Sequence, residues 1–243
     1  MPNPHRLLID IGNSTIDYLR CSDGKRFTYA HHDQALDEIL SQHVHEEIVF
    51  CSVVRHLSDR LVALCETQSR TYLHINSYHK IGFGMQVDHP DQVGIDRLVS
   101  LKGARQKYKG NLLVIDAGTA TTFDLLDKDD NFLGGAITAG LGMMRDMLYE
   151  KTDALPYVAL EKPATPIGIN TDMAMKSGLY WGYIGLLHMM IRKYKHIFAR
   201  DLTVLASGGV MSLLRDELKE DIDGYDDMLI FEGLNYLSCK NIL

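Results

Sequence analysis

The 243-residue sequence predicts a mixed α/β protein built from two similar lobes. Apolar runs of strand length alternate along the chain with helical patterns, which is typical of sheets flanked by helices. A strand that ends in Asp-x-Gly occurs twice, at Asp10 and Asp116, 116 − 10 = 106 positions apart and so close to half the chain. We interpret this as a duplication, with lobes over residues 1–110 and 111–243 and a nucleotide held between the copies.

The first lobe is predicted to open with a β-meander. Its first strand carries Asp10, and strands over 14–20 and 26–30 flank the turn pair Asp23-Gly24. The elements that follow are a helix from an Asp33 cap to Leu40, a strand over 48–53, a helix over 58–67 and a strand over 71–75. Residues 78–93 are predicted to be a loop, after which a helix runs from Gly94 to about Tyr108.

The second lobe repeats this order of elements. The predicted elements are strands over 112–116, 122–126 and 132–138, helices over 141–149 and 171–194, a strand over 202–206 and closing helices around Leu213 and Leu234. Ala174, Gly178 and Gly182 form a smooth stripe on the long helix, which lets another helix approach closely in the core or across a dimer. The methionines 143, 144, 147, 189 and 190 are predicted to be packing residues.

Composition excludes several classes of protein. The net charge of −7 argues against a general nucleic-acid binder, which needs a basic face. The four cysteines have no C-x-x-C spacing, so free thiols in a reducing cytosol are predicted. The apolar stretch over 180–191 is shorter than the ~20 residues of a membrane span, and the chain opens without the apolar core of a signal peptide. A cytoplasmic enzyme that binds neither nucleic acid nor membrane is expected.

The two Asp-x-Gly units predict a site for phosphate and a cation. In the second unit, Gly118 can adopt a positive φ and has no Cβ, so its backbone N–H can approach an anion. Asp116 places a charge at the end of a buried strand, and Thr119, Thr121 and Thr122 add hydroxyl donors. One such unit is an ordinary turn in most proteins, whereas two at half-chain spacing favour a functional role.

Asp96 and Arg97 lie at the start of the helix that precedes the second unit. One interpretation is a capping carboxylate with a solvated arginine. The other is a carboxylate that accepts a proton from an attacking hydroxyl, with Arg97 holding the carboxylate of an acidic substrate. The helix dipole is predicted to lower the pKa of Asp96 and keep it ionised.

Other glycines leave their role open. Gly134-Gly135, Gly140 and Gly142 are either a backbone site for a ligand or a tight turn, and Ser207-Gly208-Gly209 either admits a nucleoside or starts a helix. No G-x-x-x-x-G-K-[ST] or G-x-G-x-x-G occurs, so the sequence predicts neither a P-loop nor a dinucleotide site.

These motifs resemble, in order and spacing, those of the type III pantothenate kinases, and the resemblance covers almost the whole chain. It rests on Asp10-x-Gly12-Asn13-Ser14, Gly94-x-Asp96-Arg97, Asp116-x-Gly118-Thr119-Ala120-Thr121-Thr122, Gly134-Gly135-x-Ile137, Gly140-Leu141, Leu155-Pro156, Gly168-x-Asn170-Thr171 and Ser177-Gly178. That family belongs to the actin-like and sugar-kinase superfamily. The resemblance therefore implies duplicated ribonuclease-H-like lobes with mixed sheets flanked by helices.

The resemblance also implies an activity. It is ATP-dependent phosphorylation of the primary hydroxyl of pantothenate to 4′-phosphopantothenate, the first step of coenzyme A synthesis. The implied cofactors are Mg²⁺ and K⁺ or NH₄⁺, and the implied assembly is a homodimer whose pocket is shared across the interface. The alternatives are a non-catalytic relative that binds a nucleotide or a pantothenate-like ligand and regulates another process, and a superfamily enzyme with another small acidic substrate.

Positions that match the family pattern imply a role for each site residue. Asp96 would be the catalytic base, and Asp116 would bind the monovalent cation. The implied ATP contacts are Asp10, Ile11, Gly12, Asn13, Ser14, Thr15, Ile16, Asp17 and Thr119. The implied pantothenate contacts are Val87, Gly94, Ile95, Asp96, Arg97 and Thr171.

Three residues depart from the family pattern. Asp17 stands where Lys or Arg is common, Val87 where an aromatic residue often packs on the substrate, and Ile169 where Lys is frequent. These departures motivate the non-catalytic alternative. None of them removes the implied base or the implied cation ligand, so activity is expected.

Overall fold

The computed structural model describes residues 3–32, 34–199 and 201–240, and the chain divides into two compact units. The first unit comprises residues 1–107 together with 228–243, and the second comprises 108–227. The predicted lobes, 1–110 and 111–243, differ from this division chiefly at the carboxyl end. There the last helix belongs to the first unit.

The first unit is a five-stranded mixed sheet with helices on both faces. Its elements are β1 (Arg6–Ile11), β2 (Thr15–Arg20), β3 (Lys25–Ala30), α1 (Ala35–Gln42), β4 (Glu47–Ser52), α2 (Arg55–Thr67), β5 (Tyr72–His74), a 3₁₀ turn (Tyr78–Lys80), β6 (Gly84–Met85), a second 3₁₀ turn (Pro90–Gln92), α3 (Ile95–Lys107) and, near the carboxyl end, α7 (Leu229–Cys239). The strand order is β3-β2-β1-β4-β5, and the two-residue strand β6 is not part of this sheet. The predicted meander, strands and helices are confirmed, while the predicted Asp33 cap lies outside the described residues.

Alternation along the strands assigns side chains to the two faces of this sheet. Leu7, Ile9 and Ile11 pack with Ile48 and Phe50 against the inward sides of α1 and α2. Side chains of the opposite parity on β1 and β4 belong to the face that α3 and α7 contact. Asp10 has this second parity, so it shares a sheet face with the helix that begins beside Asp96.

Two glycines bring the last helix into the first unit. A Cβ at Gly103 of α3 would lie 1.9 Å from the carbonyl oxygen of Leu229, and a Cβ at Gly233 of α7 would lie 2.0 Å from that of Val99. The two helix backbones therefore approach more closely than any larger residue would allow. This close packing explains why residues 228–243 join the first unit although they follow the second in sequence.

The second unit contains the strands β7 (Leu112–Ala117), β8 (Ala120–Leu126), β9 (Asn131–Ala139), β10 (Thr203–Ser207) and β11 (Gly224–Tyr225), with the helices α4 (Leu141–Glu150), α5 (Thr171–Ile197) and α6 (Met211–Leu218). Its strands lie in the order β9-β8-β7-β10-β11. Leu113, Ile115 and Phe123 of the sheet pack with Tyr183 and Leu187 of the long helix α5. Among the residues that the structure describes, no helix combines the length and apolarity that a membrane span requires.

The two units have the same topology, which confirms the predicted duplication. In each, three antiparallel strands form a meander, one parallel strand pairs with the first strand of the meander, and a second parallel strand lies beyond it. Asp10 is the fifth residue of the six-residue strand β1, and Asp116 is the fifth residue of the six-residue strand β7. Equivalent positions in the two sheets therefore carry the two aspartates.

We predict that Gly233→Ala destabilises the first unit by about 1–3 kcal/mol, because the new methyl group must push α7 away from the Val99 carbonyl. In an open helix position the same change gains about 0.5–1 kcal/mol. Gly185→Ala in α5 is the matched control, since a Cβ there meets no described atom within 4 Å. Urea unfolding of both variants measures the difference, and equal midpoints would contradict the packing argument.

Candidate active site

The first hairpin, between β1 and β2, places a carboxylate beside a tight turn. The backbone N–H of Gly12 donates to the carbonyl of Thr15 at 3.0 Å, which closes the turn. Asn13 and Ser14 are exposed at its tip, and Asp10 is partly buried at the strand end. The hairpin thus places solvent-exposed polar side chains next to the partly buried carboxylate of Asp10.

Asp17 lies directly opposite Asp10 in the antiparallel register, so the two carboxylates share a sheet face. Like charges in that position destabilise a sheet unless they are compensated. Asp17 accepts hydrogen bonds from Thr15 Oγ1 at 3.0 Å, from Arg26 Nη2 at 3.0 Å and from Thr28 Oγ1 at 2.5 Å. The residue that departs from the family pattern therefore holds an arginine from β3 against the hairpin.

Asp10 also has a neighbour on the parallel strand β4. Cys51 is paired with Asp10 in register, is fully buried, and its Sγ lies 3.5 Å from Asp10 Oδ1. Burial raises the pKa of the Cys51 thiol well above its usual range, and the charges of Asp10 and Asp96 raise it further. Cys51 is therefore a protonated thiol that donates to the carboxylate.

Asp96 lies in the first turn of α3, where its Oδ1 accepts the backbone N–H of Arg97 at 2.8 Å. A Cβ at Gly94 would lie 2.6 Å from the same oxygen, so the carboxylate occupies space that only a glycine leaves open. Burial raises the pKa of Asp96, and the N–H and positive charge of Arg97 only partly offset this effect. The predicted lowering of this pKa is wrong, because loss of solvent outweighs the helix terminus.

The structure brings Asp96 and Asp10 into one neighbourhood of the first unit. Both carboxylates act on the thiol of Cys51, although Asp10 comes from a strand and Asp96 from a helix 86 positions later, 96 − 10. Ile95 beside them is buried, while Arg97 and Val87 are partly buried. A partly desolvated carboxylate with a raised pKa next to a polar hairpin is a typical arrangement for a general base.

The second hairpin, between β7 and β8, repeats the first in the second unit. Asp116 is partly buried, the Gly118 N–H donates to the carbonyl of Ala120 at 3.1 Å, and Ser207 Oγ lies 3.4 Å from Asp116 Oδ1. Gly118 does not have a positive φ, and its N–H is already used within the turn. The prediction that this N–H meets an anion is therefore not supported.

Only one of the three predicted hydroxyl donors is exposed at this hairpin. Thr119 is exposed at the tip. Thr121 is fully buried and bonds to the hydroxyl of Tyr183, and Thr122 Oγ1 donates to Asp124 at 2.8 Å. The alternation of a strand turns these threonines to different faces, which the row of hydroxyls in sequence does not reveal.

Two glycines allow close packing around the second hairpin. A Cβ at Gly140 would lie 2.2 Å from the carbonyl oxygen of Gly118, and a Cβ at Gly208 would lie 2.5 Å from that of Ala117. Gly208 has a φ of +104°, which other residues rarely adopt. For Gly140, the tight-turn interpretation is supported, since its N–H donates to the Thr119 carbonyl at 3.0 Å.

A cavity of about 950 Å³ lies along α4 and α5 in the second unit. Gly178 and Gly182 line it, and a Cβ at either would meet no described atom within 4 Å, so this stripe does not pack in the core of the unit. Thr171 lines the same cavity, and Ile169 beside it is 83% exposed. Of the methionines, 144 and 190 pack against the core, whereas 143, 147 and 189 are exposed.

Sequence reasoning missed Cys51 and Arg26 as parts of the site. Both lie on neighbouring strands, and only the register brings them to Asp10 and Asp17. The segment Ser207-Gly208-Gly209 drew attention through its glycines, and the Ser207 hydroxyl was not predicted to contact Asp116. The signal that could have found Cys51 is its place near the end of the strand that pairs with β1, which corresponds to the place of Ser207 beside β7.

Comparison with known proteins identifies relatives over most of the chain. The family model described as type III pantothenate kinase matches residues 6–193. A type III pantothenate kinase from Hyphomonas neptunium is 44% identical over 155 residues, which are 64% of this chain and 60% of that protein. One from Dehalococcoides mccartyi is 37% identical over 195 residues, which are 80% of this chain and 74% of that protein.

The alignment with the Hyphomonas protein spans less than two thirds of that relative's length. Among solved structures, a Campylobacter jejuni protein assigned to the Baf family of transcriptional activators superposes with a TM-score of 0.65 and 23% identity, over 97% of this chain and 98% of that one. At this identity the likeness shows the fold alone. It agrees with the predicted α/β class of mixed sheets flanked by helices, which is confirmed.

Proposed function

We propose that this chain, which belongs to the type III pantothenate kinase family, transfers the γ-phosphoryl group of ATP to the primary hydroxyl of pantothenate. The product would be 4′-phosphopantothenate, in the first step of coenzyme A synthesis. The observation that carries the proposal is the partly buried carboxylate of Asp96, with its raised pKa, in the neighbourhood of the first hairpin. A transfer to an alcohol needs such a group to accept the hydroxyl proton.

The first hairpin would bind the phosphates of ATP. Its exposed tip supplies the hydroxyl of Ser14 and the amide of Asn13 as neutral donors, and Arg26 supplies a charge held by Asp17. The full proposed set is Asp10, Ile11, Gly12, Asn13, Ser14, Thr15, Ile16, Asp17 and Thr119. Asp17 would act through Arg26, so its negative charge is compatible with a site for phosphates.

Asp10 cannot face a polyphosphate directly, because two negative groups repel each other. A divalent cation between them removes this repulsion, and Mg²⁺ is commonly bound by one or two carboxylates together with substrate phosphates. The carboxylate of Asp10 fits this requirement. When bound, Mg²⁺ would neutralise charge on the transferring group.

Asp96 would act as the general base. It orients the pantothenate hydroxyl and accepts its proton as the oxygen attacks the γ-phosphorus, while the bond to the ADP oxygen breaks. A raised pKa makes the carboxylate a better proton acceptor than an ordinary aspartate. Arg97 would bind the carboxylate of pantothenate, and the remaining proposed contacts are Val87, Gly94, Ile95 and Thr171.

Asp116 would bind a monovalent cation, K⁺ or NH₄⁺. The groups at this strand end fit such an ion, since the Asp116 carboxylate and the Ser207 hydroxyl are oxygen ligands of the kind that hard cations prefer. When bound, the cation would add positive charge to the second hairpin. Asp116 would hold it, and Thr119 at the exposed tip would contact ATP.

The chain would act as a cytoplasmic homodimer. The cavity along α4 and α5 is bordered by exposed apolar side chains, including Met143, Met147 and Ile169, which a second copy of the chain would cover. The open stripe of Gly178 and Gly182 lets a helix of that copy approach closely. Thr171 at the same cavity would then contact pantothenate in the pocket that the two copies share.

We predict that Asp96→Asn lowers turnover at least about a hundredfold with the fold retained, because the amide cannot accept the proton. In the wild type, activity should fall as the pH drops through the raised pKa of Asp96, since the protonated carboxyl group is no base. This acidic limb should lie above the range of an ordinary aspartate. Coupled ADP release with and without pantothenate, measured across pH, tests both statements.

Asp91→Asn is the matched control, because Asp91 is exposed in the 3₁₀ turn just before α3. It should leave turnover and the pH profile unchanged. Normal turnover of Asp96→Asn would remove Asp96 from the proposed role. Binding of ATP and pantothenate by the wild type without any ADP release would favour the non-catalytic alternative.

For Asp116→Asn we expect the half-saturating K⁺ concentration to rise about tenfold and the KM for ATP to rise with it, because a charged cation ligand is lost. ADP release in potassium and in sodium buffer measures the effect. Asp129→Asn, in the exposed turn between β8 and β9, is the control that should change neither value. An unaltered K⁺ dependence would contradict the cation site.

We also expect Met147→Glu to yield monomers, because a charge would be buried against the second copy. Val44→Glu is the matched control, since Val44 is similarly exposed and lies in the first unit, outside this cavity. Analytical ultracentrifugation at several concentrations separates the two variants. Identical masses for both variants would exclude this face as the dimer contact.

A further inference from the structure

In each unit, the strand-end aspartate accepts a hydrogen bond from the parallel strand beside it. In the first unit the donor is Cys51 of β4, with Sγ 3.5 Å from Asp10 Oδ1. In the second it is Ser207 of β10, with Oγ 3.4 Å from Asp116 Oδ1. Each donor is the registered partner of its aspartate, so the two contacts occupy equivalent places in the repeated topology.

Because the same contact occurs at equivalent places in both units, chance packing does not explain it. The two donors differ in element and in flanking sequence, Phe50-Cys51-Ser52 against Ala206-Ser207-Gly208. Both are short side chains that carry a single hydrogen-bond donor on Cβ, a thiol in Cys51 and a hydroxyl in Ser207. A methyl group of similar size would pack in either place, but it could not donate.

We propose that Cys51 and Ser207 are positioning residues, each of which fixes the orientation of the aspartate that binds a cation in its unit. A donor on Oδ1 limits rotation about the Cβ–Cγ bond and so sets the direction of the second carboxylate oxygen. This inference rests on the proposed function, which gives Asp10 and Asp116 their roles with Mg²⁺ and K⁺.

Asp10 has particular need of such a donor. Asp17 lies directly opposite it, and although Arg26 pairs with Asp17, two carboxylates remain on one face of the hairpin. Repulsion between them favours turning the Asp10 side chain away, and Cys51 is one of the groups that oppose this. Cys51 is 0% exposed, so no solvent competes for its hydrogen bond.

The thiol is suited to this place because it is fully buried beside the carboxylate it meets. Cys51 is 0% exposed and its Sγ lies 3.5 Å from Asp10 Oδ1, so its one hydrogen has this acceptor within reach. The same burial shields it from oxidants and metals in solution. Its role is therefore to hold Asp10, and not to react.

The test compares alanine and conservative variants at both positions. Cys51→Ala should raise the Kd and the KM for MgATP about tenfold, with the KM for pantothenate within about twofold of the wild type, because only the Asp10 contact is lost. Cys51→Ser should restore most of the affinity. Ser207→Ala should raise the half-saturating K⁺ concentration by a similar factor, and Ser207→Cys should restore most of it.

Cys65 is the matched control, since it is another fully buried cysteine of the first unit. It lies on α2 and packs in the apolar cluster between the sheet and the helices α1 and α2. Cys65→Ala and Cys65→Ser should lower thermal stability and leave the MgATP affinity unchanged. At Cys65 serine should be no better than alanine, because a hydroxyl there gains no carboxylate partner. Rescue by serine at Cys51 alone is thus a signature that a purely structural role would not produce.

MgATP binding by calorimetry, without pantothenate, keeps this inference separate from the proposed function. Loss of affinity in Cys51→Ala with rescue in Cys51→Ser supports it, even if the wild type fails to phosphorylate pantothenate. Unchanged MgATP affinity in Cys51→Ala, or an equal loss in Cys51→Ser, overturns it, even if the wild type is an active pantothenate kinase. A wild type that binds no MgATP would overturn both.

Discussion

The site depends on keeping a charged carboxylate at the end of a buried strand. Taking such a charge out of water costs free energy unless polar groups satisfy it. Asp10 and Asp116 are each only partly buried and each accepts a hydrogen bond from the neighbouring parallel strand. The strand order of the two sheets, with a parallel strand beside the first strand of the meander, supplies these donors at equivalent places.

Close backbone packing sets the remaining geometry. Gly94 leaves room for the Asp96 carboxylate, while Gly103 and Gly233 bring α3 and α7 into contact. In the second unit, Gly140 and Gly208 pack against the carbonyls of the hairpin. A glycine at each of these positions has a steric reason, since a Cβ would come within 2.6 Å of another atom. In each unit, the glycines therefore set how closely the backbone elements around the aspartates approach one another.

In the first unit, neighbouring groups compensate the charge of Asp17, the residue that departs from the family pattern. Asp17 brings a negative charge to a hairpin that we propose to bind phosphates, yet it holds Arg26 against the same face. The two hydroxyls that also bond to it, from Thr15 and Thr28, disperse the remaining charge. The net effect of the Asp17 substitution depends on its partners, and not on its own sign alone.

The sequence by itself determined the strands, the helices, the duplication and the placing of Asp10 and Asp116 at strand ends, because these follow from periods of a few residues. Only the tertiary structure decided that Cys51 and Arg26 join the site, that Thr121 is buried and that the last helix belongs to the first unit. It also reversed the expected pKa shift of Asp96. Strand register, burial and contacts between helices all depend on residues that are far apart in the chain. A local sequence pattern therefore does not reveal these features.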